Sequence, residues 1–227
     1  MTNLHQFLFG IYPYIALTVF LLGSLVRFER EQYTWRSEST QLLKRGNLRI
    51  GSICFHIGIL SLFATHMVGL LTPTEVYHSF GLTTAAKQMM AIIGGAGLGL
   101  LCLLGLLILL HRRFAEPRIA AVTSFGDKLV MLWILATLLL GLTSIFTSVG
   151  HLDGHVMVQL GYWAQHIITF KGDAASIIVN VPWIYRVHMV MGMTLFVIFP
   201  FSRLVHVWSG FGSASYVTRA WQLVRPR

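Results

Sequence analysis

Charge is what this sequence has least of: Asp, Glu, Lys and Arg make up 11% of its 227 residues, against roughly 25% in an ordinary soluble domain. With 55% hydrophobic residues, that shortage excludes a soluble globular domain and points to a membrane protein. Cysteine is nearly missing as well. Cys54 and Cys102 fall in apolar runs with no partner at metal-site or redox-motif spacing, so they read as small core residues and say nothing about compartment. Lys and Arg are absent from Met1 to Phe9, where a secretory signal would carry its basic region, so the first apolar run is expected to be a retained helix.

Long apolar runs are what the chain has in place of charge. A helix needs about 20 such residues to cross a hydrocarbon core of about 30 Å, and transmembrane barrels lack runs of that kind. Five spans are expected, at about 6 to 27, 50 to 71, 88 to 110, 129 to 149 and 182 to 208. The fold class is an all-α integral membrane bundle, and residues 1–227 form a single transmembrane domain. Pro13, between Tyr12 and Tyr14, is placed to kink the first span near its end. Gly95 and Gly99 in the third fit a small-xxx-small spacing. The connections are too short to house a catalytic core of their own.

Five spans put the two ends of the chain on opposite sides, and Lys and Arg choose between them. Arg27, Arg30, Arg36, Lys44, Arg45 and Arg49, then Arg112, Arg113, Arg118 and Lys128, then Arg219, Arg225 and Arg227 all fall on one side. The other side has Lys87, Lys171 and Arg186. The N-terminus is therefore expected outside and the C-terminus in the cytoplasm. This segregation accounts for the net charge of +9 and removes the reason to suspect nucleic acid.

Four histidines interrupt the apolar runs: His56 and His66 in the second span, His188 and His206 in the fifth. Ionisable residues inside a membrane segment are functional candidates. Those two spans run in opposite directions, so topology pairs His56 with His206 toward the cytoplasm and His66 with His188 toward the outside. Ten residues on one helix cover about 15 Å and eighteen on the other about 27 Å, a difference that tilt and side-chain reach can absorb. Facing imidazoles suit two haems, and a lone zinc or copper ion would want further ligands that these levels lack. A proton relay and structurally satisfied histidines remain as alternatives. Gly58, Gly69 and Gly192 could make room for a flat macrocycle or pack helices. Arg203, three residues before His206, is a candidate partner for a haem propionate or for lipid phosphate, and Arg186 poses the same question near His188. His5, His78, His111, His151, His155 and His166 read as solvated groups at ends and loops. His151 and His155, with Asp153 between them, form a candidate weak metal site on the outer side.

The motifs IYPYIA, QYTWR, FHIGIL around His56, LTP after the second span, RVHMVMGMTLFVIFPFSRLVHVWS and the closing QLVR resemble, over essentially the whole chain, the haem-bearing gamma subunit of membrane-bound respiratory nitrate reductase. The resemblance implies a five-helix cytochrome b with two non-covalent b haems. It implies axial ligation by His56 and His206 on the cytoplasmic side and by His66 and His188 on the outer side. It also implies quinol oxidation near the outer haem, with Lys87 of AAKQMM and His66 at the quinol, which would be menaquinol or ubiquinol. Electrons would pass to an iron–sulfur beta subunit and a molybdenum-containing alpha subunit that reduces nitrate. The chain would then be one subunit of a quinol:nitrate oxidoreductase of anaerobic respiration in the bacterial inner membrane. The alternatives are a di-haem subunit serving a sulfur-metabolism or heterodisulfide-type reductase, a histidine-relay proton-coupled transporter, and a purely structural membrane anchor.

Overall fold

The computed structural model describes residues 2–31 and 47–209. All of QYTWR, including Arg36, lies outside the described residues, as do Lys44, Arg45, QLVR, Arg219, Arg225 and Arg227. Among the described residues the secondary structure is helical, and five helices are long and apolar enough to cross a membrane: α1 (Asn3–Arg30), α2 (Leu48–Leu71), α3 (Thr84–Ala115), α4 (Phe125–Val149) and α5 (Trp183–Phe201). Their ends reach past the apolar runs because capping continues the backbone bonds into polar sequence. The Thr83 hydroxyl accepts from the Ala86 amide at the start of α3, and the Ser124 hydroxyl does so from Asp127 at the start of α4.

α2 packs on α3, α3 on α4, α4 on α5 and α5 on α1, and the Phe63 ring of α2 lies 6.4 Å from the Phe196 ring of α5, so that these two helices face each other. The tightest crossing is α2 on α3. A Cβ at Gly58 would stand 2.6–2.7 Å from Cys102, and one at Gly105 would meet the backbone of Gly51 and Phe55. Gly58 thus serves helix packing rather than a macrocycle. Gly99 takes the Leu142 side chain of α4, so the small-xxx-small stripe receives side chains and not a second backbone. Cys102 is buried in the apolar core of α3 and α4, and both cysteines are free. Large apolar side chains such as Leu21, Leu25, Ile53, Phe63, Leu104 and Phe146 are exposed on the outward faces, the reverse of a water-soluble bundle.

Pro13 acts through a π turn. Residues Phe7–Ile11 form it at the start of α1, and the proline lacks the N–H that would bond the Phe9 carbonyl four residues back. The indole N–H of Trp163 donates to that carbonyl at 2.9 Å. Trp163 belongs to a helix at His155–Ile168 within the connection that the sequence leaves featureless. The amide of Gln165 on the same helix donates to the Leu70 carbonyl at the end of α2, at 3.1 Å.

The fifth span is not one helix to residue 208. Its α-helical part ends at Ile198, a 3-10 turn covers Phe199–Phe201, Ser202 is extended, and a second 3-10 turn follows at Arg203–Val205. Pro200 removes a backbone donor and Ser202 restarts the chain by capping Leu204 with its hydroxyl, at 3.2 Å. His206 therefore lies beyond a break, and the rise of a continuous helix over eighteen residues does not relate it to His188.

Candidate functional site: two interhelical histidine pairs

The structure brings the four histidines together in two pairs across the space between α2 and α5. The ring centres of His56 and His206 are 6.1 Å apart with the planes at 74°. Those of His66 and His188 are 6.2 Å apart at 43°. A metal bound to both imidazoles through bonds of about 2.0–2.1 Å, with roughly 1.1 Å from nitrogen to ring centre, holds the centres about 6.3 Å apart. Both pairs have that spacing.

Hydrogen bonding fixes one tautomer at all four positions. The Nδ1–H of His56 donates to the Ser52 carbonyl at 2.7 Å, with the Ser52 hydroxyl at 3.2 Å. His66 donates in the same way to the Leu62 carbonyl at 2.7 Å. Both acceptors lie four residues back on α2, where side chains lean toward the N-terminus. His188 reaches across to the Thr137 carbonyl of α4 at 3.0 Å, and His206 to the Arg203 carbonyl at 2.6 Å. A carbonyl can only accept, so Nδ1 carries the proton and Nε2 keeps its lone pair, the state a metal-ligating imidazole requires. Among the described residues no hydrogen bond engages any of the four Nε2 atoms.

The surroundings fit a large flat group. A Cβ at Gly141 would stand 3.0 Å from Cε1 of His188, so the glycine lets the imidazole lie against α4. At Gly69 and Gly192, near His66 and His188, a Cβ would meet nothing within 4 Å. Nε of Arg186 is buried without a hydrogen-bond partner, two residues from His188. Tyr185, one turn before His188, bonds the Ser148 hydroxyl at 2.8 Å and donates to the Ser144 carbonyl at 3.3 Å. Gly141 and the Thr137 carbonyl of α4, and Tyr185 of α5, were not legible in the sequence, because each acquires its role only when α4 and α5 are laid against each other.

The other candidates divide. Lys87 stands in the first turn of α3, at the His66 end of the bundle, with Nζ 4.0 Å from the ring centre of the buried Tyr77. Arg203 lies near Asp127, with Nη1 at 3.7 Å from the carboxylate; Arg113 approaches the other carboxylate oxygen at 3.4 Å. An anion on α4 thus answers the cost of an arginine at that depth. His151, Asp153 and His155 do not converge: among the described residues no group of three or more His, Cys, Asp or Glu side chains could hold a metal. His5 is buried rather than solvated, its Nε2–H donating to the Ala175 carbonyl at 2.8 Å. His166 pairs with Asp173 at 2.8 Å.

Five long apolar helices with two facing pairs of imidazoles between them define the class as an all-helical membrane protein. Comparison with known proteins narrows the class. Residues 5–227 match the family described as nitrate reductase gamma subunit, and the chain belongs to that family. It is 46% identical over 227 residues to the respiratory nitrate reductase 1 gamma chain of Escherichia coli K12, covering all of both chains. Against the respiratory nitrate reductase 2 gamma chain of the same organism it is 45% identical over 224 residues, 99% of this chain and 98% of the relative. The nitrate reductase gamma chain of Bacillus subtilis 168 is 36% identical over 222 residues, 98% of each. The protein is thus a membrane subunit of respiratory nitrate reductase, an oxidoreductase complex.

Proposed function

We propose that this chain is the di-haem cytochrome b subunit that oxidises membrane quinol for nitrate reduction. The observation that carries the reading is the pair of imidazole separations, 6.1 and 6.2 Å, with every Nδ1 proton committed to a backbone carbonyl. His56 with His206, and His66 with His188, would each hold one b haem. Two such haems, when bound, would carry single electrons from the outer level to the cytoplasmic level. Arg186 would offer its buried Nε to a propionate of the outer group. Arg203, beside Asp127, would stand as the cationic neighbour of a propionate of the inner one.

Quinol would bind at the end of the bundle that holds the N-terminus of α1, within reach of Lys87 and His66. The Lys87 ammonium would leave the face of Tyr77 to donate a hydrogen bond to a quinol oxygen, lowering the cost of losing its proton. The Lys and Arg distribution supports a periplasmic N-terminus and a cytoplasmic C-terminus in the bacterial inner membrane, so these protons would be released outside. Iron–sulfur and molybdenum subunits would dock at the opposite, basic end. Each electron carried inward works against an inside-negative potential by about 2.3 kcal/mol per 100 mV, so the reaction stores energy.

His66→Ala tests the assignment: the outer haem and quinol oxidation are lost while the inner haem stays, and retention of both haems refutes it. Lys87→Ala is expected to weaken quinol oxidation with both haem spectra intact, and unchanged quinol kinetics would remove Lys87 from the site.

A further inference from the structure

The break in α5 raises a question that haem ligation alone leaves open: what fixes His206, which lies past it? Nη1 of Arg27 on α1 donates to the Pro200 carbonyl at 2.7 Å and to the Ser202 carbonyl at 2.8 Å. These short, charge-assisted bonds bind carbonyls at the interrupted helix. The same face of α1 grips both sides of the break. Phe20 lies edge-on to Phe199 at 4.8 Å and tilted against Trp208 at 5.4 Å, before and after it. A Cβ at Gly23 would stand 2.9 Å from Cγ of Pro200, so the glycine admits the proline. Phe20, Gly23 and Arg27 follow the spacing of one helix face. Arg203 begins the turn after Ser202, and its carbonyl takes the Nδ1 proton of His206 at 2.6 Å.

We propose that Arg27 is a positioning residue for His206: by clamping the carbonyls on both sides of Phe201 it sets the Arg203 carbonyl, and through it the ring orientation that faces His56. His188 needs no such device, since it stands within continuous α-helix and takes its carbonyl from α4. The assignment rests on the reading of the pairs as haem ligands and predicts an asymmetry between them. Outer partners of a ligating histidine tune both metal affinity and potential.

The test uses the assembled complex in membranes, with Arg27→Met to remove the donors while keeping the apolar stem, and Arg27→Lys to restore charge and donors. Potentiometric titration followed by visible and paramagnetic resonance spectra reads each haem separately. In Arg27→Met the His56–His206 haem is expected to change its resonance positions and midpoint and to lose affinity by up to about 10-fold. The His66–His188 haem is expected to keep its wild-type values and so to report intact folding. Arg27→Lys should move the same haem in the same direction by less, and it carries the comparison if the methionine variant does not accumulate. An inner haem unchanged in a folded variant, or both haems altered alike, overturns the role of Arg27. Wild-type protein that binds no haem would overturn the reading of the pairs and this assignment with it.

Discussion

A histidine in an apolar helix brings two ring nitrogens to satisfy, and at each of the four positions this fold satisfies one and keeps the other available. The donor is always Nδ1 and the acceptor always a backbone carbonyl, so each ring is held by the course of the chain and not by a second side chain. Geometry around the ring is the weaker point. Gly141→Ala would put a methyl group 3.0 Å from Cε1 of His188, forcing the ring off the Thr137 carbonyl. We expect loss or spectral alteration of the His66–His188 haem alone, read in difference spectra; an unaltered pair of haem signals would show that the ring has room to yield. The histidines and their pairing were legible in the sequence because antiparallel topology suffices to match His56 with His206 and His66 with His188. Their supports were not. Thr137, Gly141 and Asp127 sit in α4 with nothing local to mark them, and Arg203 reads as an unexplained cation until Asp127 is beside it.

At the scale of elements, the apolar runs located all five long helices, but their interruptions depend on distant partners. Pro13 announced a disturbance in α1; the π turn and the donor that repairs it, Trp163, come from a helix the sequence pattern left as connection. Trp163→Phe keeps the apolar ring and leaves the buried Phe9 carbonyl unpaired, a cost of about 1–3 kcal/mol. A lower melting temperature of the detergent-solubilised subunit, with both haem spectra retained, is the expected result. The α2–α3 crossing tolerates less. Gly105→Ala drives a methyl group into the Phe55 backbone, and because α2 carries His56 and His66 both haems should be lost together. Outside the membrane, the hydrogen bond from His166 holds the exposed Asp173 carboxyl below the ordinary carboxylate range. A carboxyl whose folded value is depressed contributes stability above its unfolded value, about 3.9, and that contribution fades as pH falls through the folded value. Proteolysis of the 169–173 segment should therefore rise in acid in the native protein, and Asp173→Asn should flatten that dependence.

At the scale of the whole molecule, charge and chemistry are polarised along the same axis. One end has Arg27, Arg30, Arg49, Arg112, Arg113 and Lys128 at the helix ends, and the other has Lys87 and Arg186. The basic end suits the cytoplasm, where a C-terminal fluorescent reporter should be bright and a periplasmic phosphatase fusion inactive. Quinol at the outer end and a soluble electron acceptor at the basic end would make the two histidine levels successive stations on one inward path. The claim beneath this account is that each interhelical histidine pair holds one haem. The most direct test is the reduced-minus-oxidised difference spectrum of the purified complex, taken for wild type, His66→Ala and His56→Ala with haem quantified per subunit. The account predicts two b-type haems in wild type and one in each variant, with different residual spectra; no b-type signal in wild type, or two haems surviving in either variant, would contradict it.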